Sequence, residues 1–182
     1  MTGIIGISGS LRRHSFNAGL LRAAQGLYPD DIRIASIRGI PLYDGDLEDA
    51  AGVPDAVQSL KQLIAESSGL LLVTPEYNNS IPGVFKNALD WLTRPPADIP
   101  RVFHNKAVAV IGASPGGFGT ILAQNAWLPV LRTLRTRPWF GGRLMLSSAG
   151  KLFNDESELV DPEARKQLDN FVRGFIAFTK QA

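Results

Sequence analysis

Ile4-Ile5-Gly6-Ile7 runs directly into Ser8-Gly9-Ser10-Leu11-Arg12-Arg13-His14-Ser15-Phe16-Asn17, and apolar residues at helical spacing (Leu20, Leu21, Ala24, Leu27) follow. The apolar run reads as a buried strand and residues 15–28 as a helix. Between them the loop gathers backbone amides, three hydroxyls and two guanidinium groups around the start of that helix. A helix start carries unpaired N–H donors and a partial positive charge, so it suits a phosphate dianion. A plainer reading of the same residues is helix capping by Ser15 or Asn17. Capping accounts for one hydroxyl and leaves Arg12 and the rest of the cluster unexplained. Arg13 and His14 read as solvent-facing.

The alternation of strand and helix continues through the chain. Ile32-Arg33-Ile34-Ala35-Ser36-Ile37 alternates as a strand, and residues 54–67 place Val57, Leu60, Leu63 and Ile64 on one helical face behind Pro54. Gly69-Leu70-Leu71-Leu72-Val73-Thr74 is a continuous apolar run, the mark of a parallel strand covered on both faces. The spacing then predicts a helix over 82–93, a strand over 107–111, a helix over 119–136, a strand near 142–147 and a helix over 161–180 opened by Asp161-Pro162. Ten alternating elements imply an α/β protein whose parallel sheet has helices on both faces. Five strands fit the flavodoxin-like three-layer order 2-1-3-4-5 better than a six-strand dinucleotide fold. The 182 residues are expected to form one domain. Residues 39–54 and 94–105 read as long loops.

Composition narrows the chemistry. The chain has no cysteine, which excludes disulfides and thiolate catalysis. His14 and His104 are its only histidines and no clustered acidic pattern accompanies them, so no metal site is expected. The formal charge is +2 without a block of like charges, which argues against nucleic acid as a partner. The apolar runs are far short of the ~20 residues that cross a bilayer, and the first residues lack a basic leader. A soluble, cytoplasmic protein is the expectation.

In an open α/β sheet ligands bind where the strand order reverses, here between strands 1 and 3 with strand 4 beside them. The loops after strands 3 and 4 are Thr74-Pro75-Glu76-Tyr77-Asn78-Asn79-Ser80-Ile81-Pro82-Gly83 and Gly112-Ala113-Ser114-Pro115-Gly116-Gly117-Phe118-Gly119. Pro, Asn and Gly make turns unaided, but a tight turn also bares backbone groups able to bond the polar edge of a flat heterocycle. Tyr77 reads either as a packing residue or as a stacking surface. The glycines of the last loop let backbone approach a ligand closely. The spacing around Gly6 and Gly9 is wrong for a dinucleotide fingerprint, and no P-loop occurs. Gly112-Ala113-Ser114-Pro115-Gly116 matches a nucleophile elbow, yet no histidine follows it as that hydrolase order requires.

Together these loops resemble the NADPH-dependent FMN reductase family of flavodoxin-like quinone, azo and chromate reductases. Gly9-Ser10-Leu11-Arg12 with Ser15 and Asn17 is similar to its Gly-Ser-x-Arg-x-x-Ser-x-Asn loop. Pro75 to Gly83 running into Lys86-Asn87-Ala88-Leu89-Asp90-Trp91 is similar to its most specific segment, and Ser114-Pro115-Gly116-Gly117 to its third loop. The resemblance implies bound FMN and NAD(P)H as electron donor. It implies that Ser10, Arg12, Ser15, Phe16 and Asn17 form the phosphate end, that Pro75, Glu76, Tyr77 and Asn78 line the ring and ribityl chain, and that Ser114, Gly116 and Gly117 lie near the ring. No side chain is expected to be catalytic in its own right. A small-molecule acceptor, preferably a quinone, and a homodimer or dimer of dimers with the 82–93 helix near the contact are also implied. That helix reads equally as an ordinary amphipathic one. Two rival readings stand beside this: a flavodoxin-type electron carrier, and a hydrolase centred on Ser114. Arg132, Arg135, Arg137 and Arg143 form a local basic group, read either as dipole complements at a helix end or as a contact for a subunit or a 2′-phosphate.

Overall fold

The computed structural model describes residues 2–181. Its central strands are β1 (Thr2–Ser8), β3 (Ser67–Val73) and β4 (Ala107–Ala113), with β2 (Ile32–Ala35) outside β1, all parallel. Ile4 lies opposite Ile32 on one side and Gly69 on the other. Successive side chains of a strand point to opposite faces, and the burial follows that rule. Ile4, Leu71, Ala109 and Ile111 pack beneath α1 (Phe16–Leu27) and α7 (Pro162–Thr179). Ile5, Ile7, Leu70, Leu72 and Val108 pack beneath α3 (Asp55–Glu66), α4 (Gly83–Leu92) and α6 (Ile121–Thr133). Covering on both faces explains why β3 reads as an unbroken apolar run, each buried Leu or Ile contributing roughly 1.5–3 kcal/mol relative to exposure.

The order β2-β1-β3-β4 with a fifth position beyond β4 is the expected one, but the fifth strand is not a single segment near 142–147. It is two short pieces, β5 (Arg137–Pro138) against the start of β4 and β6 (Met145–Leu146) against its end. The Trp139 indole causes the break. It lies edge-on to Phe171 at 4.8 Å, and a Cβ on Gly141 would come within 2.5 Å of it. The chain between the pieces therefore loops around the ring instead of following β4.

The two segments read as loops also carry helices. Residues 39–54 include α2 (Gly45–Ala51), capped by the Asp44 carboxylate accepting from the Asp46 N–H at 2.9 Å. Residues 94–105 include the 3-10 turn Pro96–Asp98 and α5 (Ile99–Phe103). Neither showed helical periodicity because α2 buries no residue and α5 is one turn long. Both segments are bonded to the α3–α4 layer. Trp91 Nε1 and Asn87 Nδ2 donate to the Pro41 carbonyl at 2.9 and 2.8 Å, and Arg94 Nε meets Glu48 Oε2 at 2.7 Å. The fully buried Lys61 ammonium reaches the Arg94 carbonyl at 2.6 Å and pairs with Asp98, holding that carboxyl below its ordinary range.

Candidate active site

The loops after β1, β3 and β4 share one edge of the sheet and border a shallow cleft whose space, open mouth included, is about 430 Å³. Ser10, Arg12, Ser15, Phe16, Asn17, Pro75, Glu76, Tyr77 and Ser114 line it, together with His14, Ala113 and Pro115. Asn78, Gly116 and Gly117 lie outside that lining, at the exposed tips of the second and third loops.

Loop one is seated by the Gly9 N–H, which donates to the Val73 carbonyl at 2.9 Å. A Cβ on Gly9 would fall 2.2 Å from the Phe85 ring, so only glycine allows this approach. Ser15 is the N-cap of α1, its hydroxyl accepting from the Ala18 N–H at 3.3 Å. Capping thus takes one donor. The amides of Phe16 and Asn17, in the first turn, donate to nothing else among the described residues, as helix geometry requires. The Arg12 guanidinium is exposed beside them, with no ion pair or hydrogen bond among the described residues. Arg38, which sequence reasoning passed over, braces the loop by donating to the Leu11 carbonyl at 2.8 Å.

Loop two is a tight hairpin. Tyr77 and Ser80 exchange backbone hydrogen bonds at 3.2 and 3.1 Å, and Asn78 and Asn79 between them have φ of 49° and 61°. Two left-handed central residues define a type I′ turn, a conformation that asparagine tolerates. Tyr77 stands 46% exposed at the cleft, so it is not a core residue. The Glu76 carboxylate accepts from the Leu122 and Ala123 N–H groups at 2.8 and 2.9 Å. It caps α6, whose own N-cap Thr120 supplies no capping bond, its hydroxyl accepting from the Gln124 side-chain amide at 3.0 Å instead.

Loop three is held from three directions. Asn17 accepts from the Ala113 N–H at 2.9 Å and donates to the Ala113 carbonyl at 2.8 Å. The Ser114 hydroxyl donates to the Gly119 carbonyl at 2.6 Å, and the Ser148 N–H donates to the Gly116 carbonyl at 3.0 Å. An oxygen engaged with a carbonyl and bonded to no histidine is not an activated nucleophile, so the hydrolase reading fails on geometry. The expected basic group also separates: Arg137 stacks over Phe178 at 4.5 Å and donates to the Gln181 carbonyl, while Arg143 stands exposed in the interrupted fifth strand.

A doubly wound parallel sheet that carries its anion cradle at this edge is the architecture of flavin- and nucleotide-binding proteins. Residues 2–151 match the family described as NADPH-dependent FMN reductase, and the chain belongs to that family. It is an oxidoreductase, which removes the reading as a mere electron carrier. It is 43% identical to an NAD(P)H-dependent FMN reductase of Pseudomonas aeruginosa over 90% of this chain and 87% of that one. It is 36% identical to a 2-hydroxy-1,4-benzoquinone reductase of a Burkholderia species, over 96% of this chain and 94% of the relative. Among solved structures it is similar to the flavoenzyme NAD(P)H:(acceptor) oxidoreductase of Paracoccus denitrificans, with a TM-score of 0.86, 32% identity, and coverage of 100% and 98%. No helix among the described residues is long and apolar enough to cross a membrane.

Proposed function

We propose that the cleft holds FMN with its phosphate on loop one and its ring along loops two and three, and that the enzyme passes electrons from NADH or NADPH to quinones. The observation that carries this reading is the contrast within the cleft: its inner polar groups are bonded, whereas the Phe16 and Asn17 amides and the Arg12 guanidinium, which border the same cleft, have no partner among the described residues. Such donors fit a phosphate dianion. Bound FMN supplies the hydride and electron transfer chemistry between the nicotinamide donor and the acceptor. The protein binds, orients and tunes. Ser10 and Ser15 flank the phosphate end, and Pro75 and Tyr77 form a wall. The exposed backbone of Gly116 and Gly117 would let a second flat molecule approach bound flavin without side-chain obstruction. An open site of this kind imposes few contacts, so azo dyes, nitroaromatics and chromate belong to the same proposal as secondary acceptors.

We also infer a single 182-residue domain in the cytoplasm, where reduced nicotinamides are supplied, assembled as a homodimer or dimer of dimers. Phe85, Leu89, Trp91 and Leu92 of α4 do not support that assembly, because all four are buried in their own chain. Support comes from Tyr77, Val84, Phe118 and Leu122, apolar groups 39–84% exposed within or just after loops two and three. Light scattering at micromolar concentration should give at least twice the chain mass, and a monomer would defeat the assembly.

The function is tested without oxygen. The yellow protein should bleach on adding NAD(P)H and regain its colour when a quinone follows. Double-reciprocal plots at several quinone concentrations should be parallel, because donor and acceptor use one site in turn. Protein that neither nicotinamide bleaches would end the reductase reading.

A further inference from the structure

The interrupted fifth strand leaves a second feature, at the outer edge of β4. Even-numbered positions of β4 face that edge: the Lys106 and Val108 carbonyls accept from the Arg137 and Trp139 N–H groups, both at 2.8 Å. Further along, the Gly112 and Ser114 N–H groups donate to the Leu144 and Leu146 carbonyls at 3.2 and 2.9 Å. Val110 lies between these pairs. Because the chain leaves the sheet around Trp139, the Val110 N–H and C=O have no partner on that side among the described residues. Val110 is also the one residue of β4 that is not buried. It lies on a groove of about 810 Å³, open mouth included, with Ile121 and Leu128 of α6 and Trp139 and Phe140 as walls and Arg143 beside them. Phe140 is 73% exposed.

We propose that this groove binds the adenine nucleotide end of the nicotinamide donor. A donor and an acceptor presented side by side by one residue are complementary to the adenine edge, where a ring nitrogen accepts beside an amino group that donates. Apolar and aromatic walls around a few fixed polar groups are what a flat heterocycle needs. The exposed Arg143, which has no partner among the described residues, supplies a guanidinium for a phosphate on the ribose. The groove is also within reach of the cleft: at about 3.3 Å per residue, Val110 lies roughly 10 Å along β4 from Ala113, which lines the cleft. The proposal rests on the reductase reading above and adds to it the place of the donor's far end.

The test uses FMN-loaded enzyme, with adenosine 2′,5′-bisphosphate, AMP and NADPH as probes, and reduced nicotinamide mononucleotide as a donor without adenosine. The Val110 amide signal in a nitrogen–proton spectrum should shift on adding adenosine 2′,5′-bisphosphate, which should compete with NADPH. Arg143→Ala should raise KM for NADPH about ten-fold or more, with kcat, FMN affinity and KM for the mononucleotide donor unchanged. Phe140→Ala gives a second variant that leaves Arg143 in place and should raise the same KM. An unmoved Val110 signal, or an unchanged KM for NADPH in both variants, overturns the proposal. AMP that shifts Val110 without competing with NADPH overturns the donor assignment, since the groove would then serve a separate adenine nucleotide. If the mononucleotide donor still bleaches the flavin, the reductase reading survives any of these failures.

Discussion

Loop one and the seam behind it border the same cleft, yet their polar groups differ in one respect. In the seam, Asn17 closes both backbone groups of Ala113, Glu76 caps α6 and Ser114 is fixed to Gly119. At the rim, the Arg12 guanidinium and the first amides of α1 have no partner among the described residues. Buried polar groups must be satisfied within the protein, whereas exposed ones can wait for a ligand. The seam therefore sets the shape of the cleft and the rim sets what enters it. Asn17 shows that the motif for the phosphate loop mixes the two roles, since its main-chain amide faces the anion cradle while its side chain, 4% exposed, holds loop three.

The largest effect should follow from breaking the seam. Asn17→Ala leaves the Ala113 N–H and C=O without partners in the interior, a cost of about 2–4 kcal/mol. In a chain of this size that lowers Tm by roughly 5–15 °C. FMN affinity should fall with it, because loop three loses its anchor. An unchanged Tm of the flavin-free protein would show that Asn17 belongs to the rim after all.

Arg12→Ala is the opposite case. Its exposed side chain makes no bond within the described residues, so the flavin-free protein should unfold within about 0.5 kcal/mol of the parent. The lost charge-assisted hydrogen bond is worth roughly 1.5–3 kcal/mol to a phosphate, so FMN affinity should fall about ten-fold or more. Riboflavin, which lacks the phosphate, should bind almost as before. Equal losses for the two ligands would show that loop one does not see the phosphate. Salt separates the regions more gently. Raising ionic strength from 0.15 to 1 M shortens the screening length from about 8 to about 3 Å. FMN should then bind a few-fold more weakly while riboflavin is unaffected, and a fall shared by both would place the sensitivity outside the rim.

How much of this was legible beforehand divides along the same line. The rim is local in sequence: a strand, a loop of hydroxyls and guanidinium groups, and a helix start within residues 4–17. The positions of β1, β3 and β4 were legible for a similar reason, since each announces itself by a short apolar run. The seam is not local. Asn17 bonds a residue 96 positions away and Glu76 residues 46 and 47 away, and neither side chain carries a mark of its partner. The split of the fifth strand was hidden too, because it depends on where the Trp139 indole lies against Phe171. The burial of the large apolar residues of α4 was hidden for the same reason. Phe85 meets the Trp127 ring at 4.9 Å, and the Trp91 indole is covered by the segment carrying Pro41, contacts that only the folded chain supplies.

The smallest expected effect tests whether Glu76 belongs wholly to the seam. Its carboxylate accepts from two N–H groups at the start of α6, where a negative charge also opposes the helix dipole. Glu76→Gln keeps an oxygen acceptor in place and removes only the charge, so stability should fall by about 0.3–1 kcal/mol. Glu76→Ala removes the acceptor as well and should cost about 1–2 kcal/mol, the usual loss for a helix cap. FMN affinity should follow stability in this pair, small for Gln and larger for Ala, because α6 and loop three move together. A Gln variant that loses FMN tightly bound by the parent while keeping its Tm would give Glu76 a direct contact with the flavin. The boundary between seam and rim would then pass through loop two, between Glu76 and the buried Pro75.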